Sequence, residues 1–592
     1  MTAYAAPIED MMFALTELAG LEDVAKLPNC GSAEPDLVRQ ILEEAGKLGS
    51  GVLAPINRIG DLEGCVLEGE DVRTPKGFKE AWEQFCEGGW TGIAFEEEFG
   101  GQGLPWMVGT AVQEIWHAAN MAFALCPMLT QGTVELLTAH GSHEQKSFYL
   151  PRLISGQWTG TMNLTEPQAG SDLGAIRTKA VRDGDSYLIT GQKIFITYGE
   201  HDWAENIIHF TLARLPDAPT GVKGISLFIV PKFIPNEDGS LGKRNDLRCV
   251  SLEHKLGINA SPTAVMSFGD HGGAVGYLVG EENRGLEYMF TMMNNARLGV
   301  GLEGVAIAER AYQQALAFSK ERVQSRALSS PDPKPVAIIS HPDVRRMLLT
   351  QKALTEASRG LAYYTAAQID IARNHPDAGV KKAAKSRIDL MIPIVKAWSS
   401  ECGMQSADLG VQVHGGMGFI EETGAAQHLR DVRITAIYEG TNGIQANDLV
   451  GRKLMRDGGA AMNHYIGEMR EIEAKLASPE LTSLRQPLTE ALNALKTASD
   501  WIVAANDPVV AQAGALPFMR LFGITAGGWA MSRMALSAEA KLKAGEGDAK
   551  FLKAKITSAR FFAEQILPQA DGLRRMATTG ADTIMDATLE AV

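Results

Sequence analysis

Ser186-Tyr-Leu-Ile-Thr190 and Ile194-Phe-Ile-Thr197, followed by Ile207-Ile-His-Phe-Thr-Leu212 and Ile225-Ser-Leu-Phe-Ile-Val230, decide the fold class. These are short β-branched and aromatic runs bounded by Gly, Asp and Pro, residues that suit a pleated surface better than a helix. They predict a β domain from about Thr161 to Val279. On either side the pattern is helical. Between Leu37 and about Ser155 apolar residues mostly recur at helical spacing, as in Leu37, Ile41, Leu42 and Ala45, with a Gly-rich break at Gly100 to Gly103. Helical periodicity returns at Gly285 and predicts bundle-length helices over Tyr288 to Arg322, His341 to Asn374 and Lys381 to Val413. After about Gly458 it continues in Ala- and Leu-rich stretches, Ala461 to Ala477, Leu481 to Ala505 and Leu516 to Ala544, without a convergent polar motif. The expected architecture is α+β: an N-terminal helical domain (1–160), a middle β domain (161–280), a C-terminal helical bundle (281–457) and an appended helical domain (458–592). Successive prolines in Ser330-Pro-Asp-Pro-Lys-Pro-Val336 remove backbone donors and predict a surface loop.

A chain of 592 residues is several times the size of one domain and supplies a large core. With 45% hydrophobic and 21% charged residues it is expected to fold throughout. A formal net charge of -15 argues against a sequence-independent hold on nucleic acid, which needs Lys and Arg to neutralise phosphates. The lysine-rich stretch from Lys541 to Lys555 is interrupted by Glu546 and Asp548, so it does not form the basic groove that a nucleic-acid role needs. The six cysteines are scattered with no CxxC pair, which fits a reducing compartment and predicts neither zinc nor a disulfide framework. Met1 to Asp10 lacks the basic lead and apolar run of a secretory signal, and no uncharged stretch is long enough to span a bilayer. A cytoplasmic location without membrane insertion is expected.

Gly299-Val-Gly-Leu-Glu-Gly304 matches the dinucleotide fingerprint GxGxxG letter for letter, but the residues before it are helical in pattern rather than a strand. Close helix packing explains these glycines better. His140-Gly-Ser-His143 has no third ligand at a metal spacing and reads as a polar turn, so no metal is expected. No GxSxG elbow or Cys–His nucleophile motif occurs. What remains are polar and glycine clusters in apolar surroundings. Asn163-Leu-Thr-Glu-Pro-Gln-Ala-Gly-Ser-Asp172 offers hydroxyls and flexible backbone to an anionic or heteroaromatic ligand, or forms an ordinary turn. Lys193-Ile-Phe-Ile-Thr197 puts an aromatic ring and a hydroxyl on one side of a strand, as alternation in a core strand also would. Gln412-Val-His-Gly-Gly-Met-Gly418 and Ile437-Tyr-Glu-Gly-Thr-Asn-Gly443 complete the set, and Glu439 taken alone reads more readily as a helix-end cap.

In this order, Thr165-Glu-Pro with Gly170-Ser-Asp172, Phe195-Ile-Thr197, Glu321-Arg-Val-Gln324, Gln412 to Gly418 and Tyr438-Glu-Gly-Thr441 resemble the acyl-CoA dehydrogenase family over about Leu37 to Leu454. The extra C-terminal segment and the Ser329 to Val336 insertion resemble a longer bacterial branch, whose members act on 3-methylmercaptopropionyl-CoA or fatty acyl-CoAs. The resemblance implies FAD as cofactor, lined by Met162, Leu164, Thr165, Gly170 and Ser171, with Phe195 and Thr197 on the isoalloxazine. It implies that Arg322, Gln324, Gln412 and Gly416 reach the FAD of a neighbouring subunit, hence a homodimer, and that Thr441 touches the cofactor. Ser171, Asn294, Arg297 and Gly440 are implied on the substrate side, Arg297 in support of the catalytic loop. Phe195 stands where tryptophan is common in the family, and Asn294 where aspartate is.

The implied reaction is the α,β-dehydrogenation of an acyl-CoA thioester to a trans-2-enoyl-CoA in fatty-acid β-oxidation, with Glu439 taking the α-proton and hydride passing to flavin N5. An α-hydrogen of a thioester is so weak an acid that the developing enolate must be stabilised as the proton leaves. The backbone N–H of Glu439 and a ribityl hydroxyl are implied as donors to the thioester oxygen. Electrons are then expected to pass to an electron-transfer flavoprotein. An acyl-CoA oxidase uses the same base and flavin and is not separated by these motifs. A membrane-surface role for Leu481 to Ala505 is disfavoured by its few basic residues.

Overall fold

The computed structural model describes residues 4–31, 33–328 and 331–586. Outside them lie Met1 to Ala3 and Ser32 of the N-terminal segment, Ser329 and Ser330 of the insertion, and the last six residues of the 458–592 segment. The chain forms two compact units, one of residues 44–104 and 115–299, the other of 1–43, 105–114 and 300–592.

The first unit carries the β domain. Its strands are β1 (Trp158–Asn163), β2 (Lys179–Asp183), β3 (Ser186–Thr197), β4 (Asn206–Ala213), β5 (Ser226–Pro231), β6 (Leu247–Leu252), β7 (Thr263–Phe268) and β8 (Ala274–Leu278). They pair in the order β6-β7-β3-β8-β5-β4-β1, with β2 also on β3. Only the β1–β4 pair of this sheet is parallel, in the register Trp158↔Asn206 to Asn163↔Thr211. Every residue of β4 and β5 is buried, which accounts for their unbroken apolar runs in place of alternation. The helices of this unit share an aromatic cluster with the loop before β4: the Phe123 and Trp203 rings stack 5.1 Å apart, and Trp82 stacks 5.6 Å from Trp203. The helical reading of the N-terminal stretch missed one small hairpin, Val66–Glu68 against Asp71–Arg73, too short for a period of two to register. The His140 to His143 turn ends one helix and starts another, with Ser142 and Gln145 forming a capping box.

The second unit is helical. Its long members are α1 (Gly285–Glu321, of which Val300 onward belongs here), α2 (Pro342–Asn374), α3 (Ala378–His414), α4 (Thr482–Ala505), α5 (Ala515–Ala544) and α6 (Ala549–Gln565). The GxGxxG stretch lies inside α1, as its pattern indicates. A Cβ on Gly301 would stand 2.4 Å from the Val395 carbonyl oxygen, and one on Gly304 would stand 2.3 Å from that of Ser399, so both glycines let α1 lie backbone against backbone on α3. The helix expected over Ala461 to Ala477 stops at Arg470. Glu471 and Glu473 would set negative charge against the negative end of its dipole, and Ser478-Pro479 disfavours helix beyond. The Pro-rich loop is exposed from Pro331 to Pro335.

The segment after 458 packs on the bundle. Gly523 and Gly527 of α5 meet the Trp398 ring of α3, and Trp529 meets Tyr364 of α2 edge-on at 5.2 Å. The lysine-rich stretch is spent on ion pairs within the chain: Lys541 bonds Glu17 at 3.0 Å, and the buried Lys555 bonds Asp10 of the N-terminal helix Ile8–Phe13 and approaches Glu356 of α2 at 3.5 Å. Among the described residues no helix is long and apolar enough to cross a membrane.

Lys555→Met should lower unfolding stability by about 3–5 kcal/mol, since removing one partner of a buried pair leaves an uncompensated charge. Denaturant unfolding checks this. Removal of residues 458–592 should yield aggregated protein or altered oligomers in size-exclusion chromatography, because apolar faces of α2 and α3 become exposed.

Candidate functional site

In the β unit, the motif residues surround one loop and one bulged strand end. Met162 lies on β1, and Leu164 and Thr165 follow it. Glu166, missed as a functional residue, organises this loop. Its carboxylate accepts from Lys193 Nζ at 2.8 Å, from the Arg177 and Thr178 backbone N–H groups at 2.6 and 3.0 Å, and from the Thr178 hydroxyl at 2.6 Å. Lys193 also donates to the Leu164 carbonyl at 2.9 Å, and the Ile194 N–H donates to that of Thr165 at 2.9 Å, so strand β3 holds both residues in place. Burial opposes ionisation of Glu166, yet the Lys193 charge and the converging donors hold its carboxyl down, to about 2. Burial pushes the Lys193 ammonium down, to about 8, and the pair stays ionised at neutral pH.

Beyond the loop, Gly170 and Ser171 are exposed, and a Cβ on Gly170 would meet nothing within 4 Å. Strand β3 then departs from the simple alternation read in its sequence. Its register against β7 slips between Lys193 and Ile196, a bulge. Phe195 in that bulge has a φ of 60° and a ring 58% exposed, while Lys193 two residues before is fully buried. Thr197 is half-buried, its carbonyl accepting from the Thr161 hydroxyl at 2.7 Å. Asn294 and Arg297 stand one turn apart on α1, the Arg297 guanidinium donating to the Asn294 side-chain oxygen at 3.2 Å.

In the helical unit the motif residues form two clusters. The first is the turn Tyr438 to Thr441. Glu439 is half-buried in the left-handed region at a φ of 56°. The turn is pinned on three sides. Tyr438 donates its hydroxyl to the buried carboxylate of Glu303 on α1, Gln445 donates to the Glu439 carbonyl at 3.0 Å, and Thr441 caps the next helix by accepting from the Ile444 N–H at 3.2 Å. Gly440 continues the turn at a φ of 80°. The second cluster lies where α1 and α3 end. Arg322 and Gln324 are exposed and within 3.4 Å of each other, and Gln412 and Gly416 are exposed beside His414, whose ring stacks on Phe318 at 4.4 Å. Lys396, which meets the Glu439 turn through Asn442, precedes His414 on α3 by a stretch of about 27 Å. The turn therefore meets α3 near its middle, and the second cluster lies about 27 Å further along, at the C-terminal end of that helix.

Backbone strain marks the same positions. Among the described residues the non-glycine positions with positive φ are Asn29, Phe195, Tyr198, Ile258, Asn283, Ser325, Glu439 and Asn506. Asparagine adopts this region at little cost. Of the other five, Phe195 and Glu439 are motif residues, and Tyr198 and Ser325 directly follow Thr197 and Gln324. Strain held by surrounding bonds is a mark of working sites. Each unit offers donors that suit part of a flavin dinucleotide: the β unit has the exposed Phe195 ring for a flat heterocycle, hydroxyls and the open Gly170, and the helical unit has the open glycines 415 and 416 and the Arg322 guanidinium, suited to a pyrophosphate. Among the described residues no group of three or more His, Cys, Asp or Glu is placed to hold a metal ion.

The order of segments and this donor set define an acyl-CoA dehydrogenase fold. Models of the N-terminal, middle and C-terminal domains of acyl-CoA dehydrogenases match residues 67–157, 161–271 and 283–454, and a model described as acetyl-CoA dehydrogenase C-terminal like matches 466–588. The chain belongs to the acyl-CoA dehydrogenase family and is an oxidoreductase acting on acyl-CoA. It is 49% identical to the 3-methylmercaptopropionyl-CoA dehydrogenase of Ruegeria pomeroyi, over 99% of this chain and 100% of that one. Among solved structures, Caenorhabditis elegans ACDH-11 in complex with C11-CoA superposes with a TM-score of 0.78 at 21% identity, covering 95% of this chain and 92% of that one. A Bacillus anthracis acyl-CoA dehydrogenase complexed with FAD superposes with a TM-score of 0.68 at 21% identity, covering 97% and 88%.

Glu166→Gln should lower stability by about 3–5 kcal/mol, leaving Lys193 buried without its countercharge. The wild-type pair should stabilise the fold fully above about pH 4, the unfolded carboxyl's range, and lose that contribution as pH falls through about 2. Melting temperatures of the two proteins should therefore converge in acid, and an undiminished gap at pH 2 would contradict this account.

Proposed function

We propose that this enzyme performs the α,β-dehydrogenation of an acyl-CoA thioester to a trans-2-enoyl-CoA, with Glu439 as the base. The observation that carries the assignment is the pinned left-handed turn, which spends three bonds and backbone strain on one carboxylate. Glu439 takes the α-proton as its backbone N–H donates to the thioester oxygen, where negative charge develops. Holding the thioester against a fixed base supplies much of the rate, and the apolar substrate excludes water from the carboxylate and raises its basicity. The cofactor is FAD, which when bound accepts the β-hydrogen as hydride at N5.

Met162, Leu164, Thr165, Gly170, Ser171, Phe195, Thr197 and Thr441 are proposed to hold the cofactor. Ser171, Asn294, Arg297 and Gly440 are proposed to serve the substrate. Arg322, Gln324, Gln412 and Gly416 are assigned to the FAD of a second subunit in a homodimer, a reading supported by their position where α1 and α3 end, about 27 Å along α3 from the level of the Glu439 turn. The domain boundaries at 160, 280 and 457, reoxidation by an electron-transfer flavoprotein, a cytoplasmic setting and a place in fatty-acid β-oxidation complete the proposal. A 3-methylmercaptopropionyl or a short fatty acyl group is the substrate to try first, given the Ruegeria pomeroyi relative.

Glu439→Gln keeps size and hydrogen bonding but cannot accept the proton. Anaerobic stopped-flow bleaching of the flavin by a good acyl-CoA should slow by about 10²- to 10⁴-fold while FAD and thioester stay bound. Near-normal bleaching would transfer the role to another carboxylate. Arg322→Ala should lower FAD occupancy at nanomolar protein, because a charge-assisted bond to pyrophosphate is lost. Full occupancy there would overturn the second-subunit assignment.

A further inference from the structure

Glu303 lies on α1, inside the Gly299 to Gly304 stretch, and has no exposed surface. One carboxyl oxygen accepts the Tyr438 hydroxyl; the other has no hydrogen-bond partner. The ionisable groups that face it are Tyr438 and Glu439 on the base turn and Lys396 on α3. Lys396 is itself fully buried and donates to the Asn442 side-chain oxygen at 3.0 Å, and the Asn442 amide donates to the Ala397 carbonyl at 3.1 Å. The turn is thus bracketed by α1 through Glu303 and by α3 through Asn442. The close approach at Gly301 and Gly304 fixes the distance between those helices.

We infer that Glu303 is a positioning residue for the base: it anchors through Tyr438 the turn that carries Glu439, and its own proton sets how much negative charge stands beside Glu439. The inference rests on Glu439 being the base. Burial raises the Glu303 carboxyl to about 8, the charge of Glu439 adding to the rise while the Tyr438 bond and Lys396 oppose it. At neutral pH Glu303 therefore keeps its proton. As pH passes about 8 it ionises, and a second negative charge beside Glu439 favours proton uptake by the base.

The test follows flavin reduction by a saturating acyl-CoA in the holoenzyme from pH 6 to 9.5, with substrate Kd, FAD content and melting temperature measured in parallel. In the wild type the rate should rise about threefold through pH 8, a shift in the base's pKa reaching the rate only in part. Glu303→Gln, which cannot ionise, should abolish that rise. Tyr438→Phe, which keeps the ring and removes only the hydroxyl, should slow reduction about three- to tenfold with Kd unchanged, the worth of one hydrogen bond. A rise that persists in Glu303→Gln, or a wild-type rate in Tyr438→Phe, overturns the inference. Glu439→Gln separates this from failure of the underlying reading: if it is inactive, the base stands and only the role of Glu303 falls; if it reduces flavin normally, both fall.

Discussion

The helical unit is built around one buried guanidinium. Arg359 on α2 is 1% exposed and lies among three carboxylates: Asp10, Glu114 with bonds of 2.6 and 2.9 Å, and Glu309 at 2.8 Å. Tyr363 adds a bond to Glu114 at 2.6 Å. A charge taken this far from water is tolerable only with its partners in place. Those partners come from the N-terminal helix, the start of the Trp106–His140 helix and α1, and Asp10 in turn binds Lys555 of α6. Five sequence-distant segments are thereby obliged to meet at one point. That convergence frames the bundle on which the Glu439 turn sits.

Inside the frame, backbone contact does what side chains do elsewhere. Gly301 and Gly304 of α1 and Gly403 of α3 leave no room for a Cβ between the helices, a Cβ on Gly403 standing 2.7 Å from the Gly304 carbonyl. A core of interdigitated leucines can relax around a change by hopping rotamers; two touching backbones cannot. Glu303 and Lys396 project from this seam next to the base turn, so their separation is set by main chain.

Much of this was legible in sequence because the signals are periodic or modular. The runs around Ile207 and Ile225 announced the sheet, and the long apolar periods announced α1 to α3 within a few residues of their ends. The rejection of the GxGxxG stretch as a nucleotide loop followed from context, since a helix precedes it. What escaped was whatever depends on a residue distant in sequence. Glu166 sits inside a motif, yet its role comes from Lys193 and Thr178; Glu303 sits inside a glycine pattern and gains meaning only from Tyr438. Lys555 read as one member of a basic run, because its partner is 545 positions away. The bulge at Phe195 was equally hidden, since alternation cannot announce its own interruption.

The Asp10 to Lys555 bond also constrains how the molecule is made. Synthesis at roughly 5–20 residues per second separates the emergence of the two by about half a minute to two minutes. Throughout that time the nascent N-terminal helix, whose Met11, Met12 and Phe13 end up buried, lacks both Arg359 and Lys555 as countercharges for its aspartate, the first for most of the interval and the second for all of it. The β unit, complete by residue 299, is free of that wait. The helical unit closes last, and the ribosome must hold or a chaperone must shield an apolar leading segment until its final helices arrive.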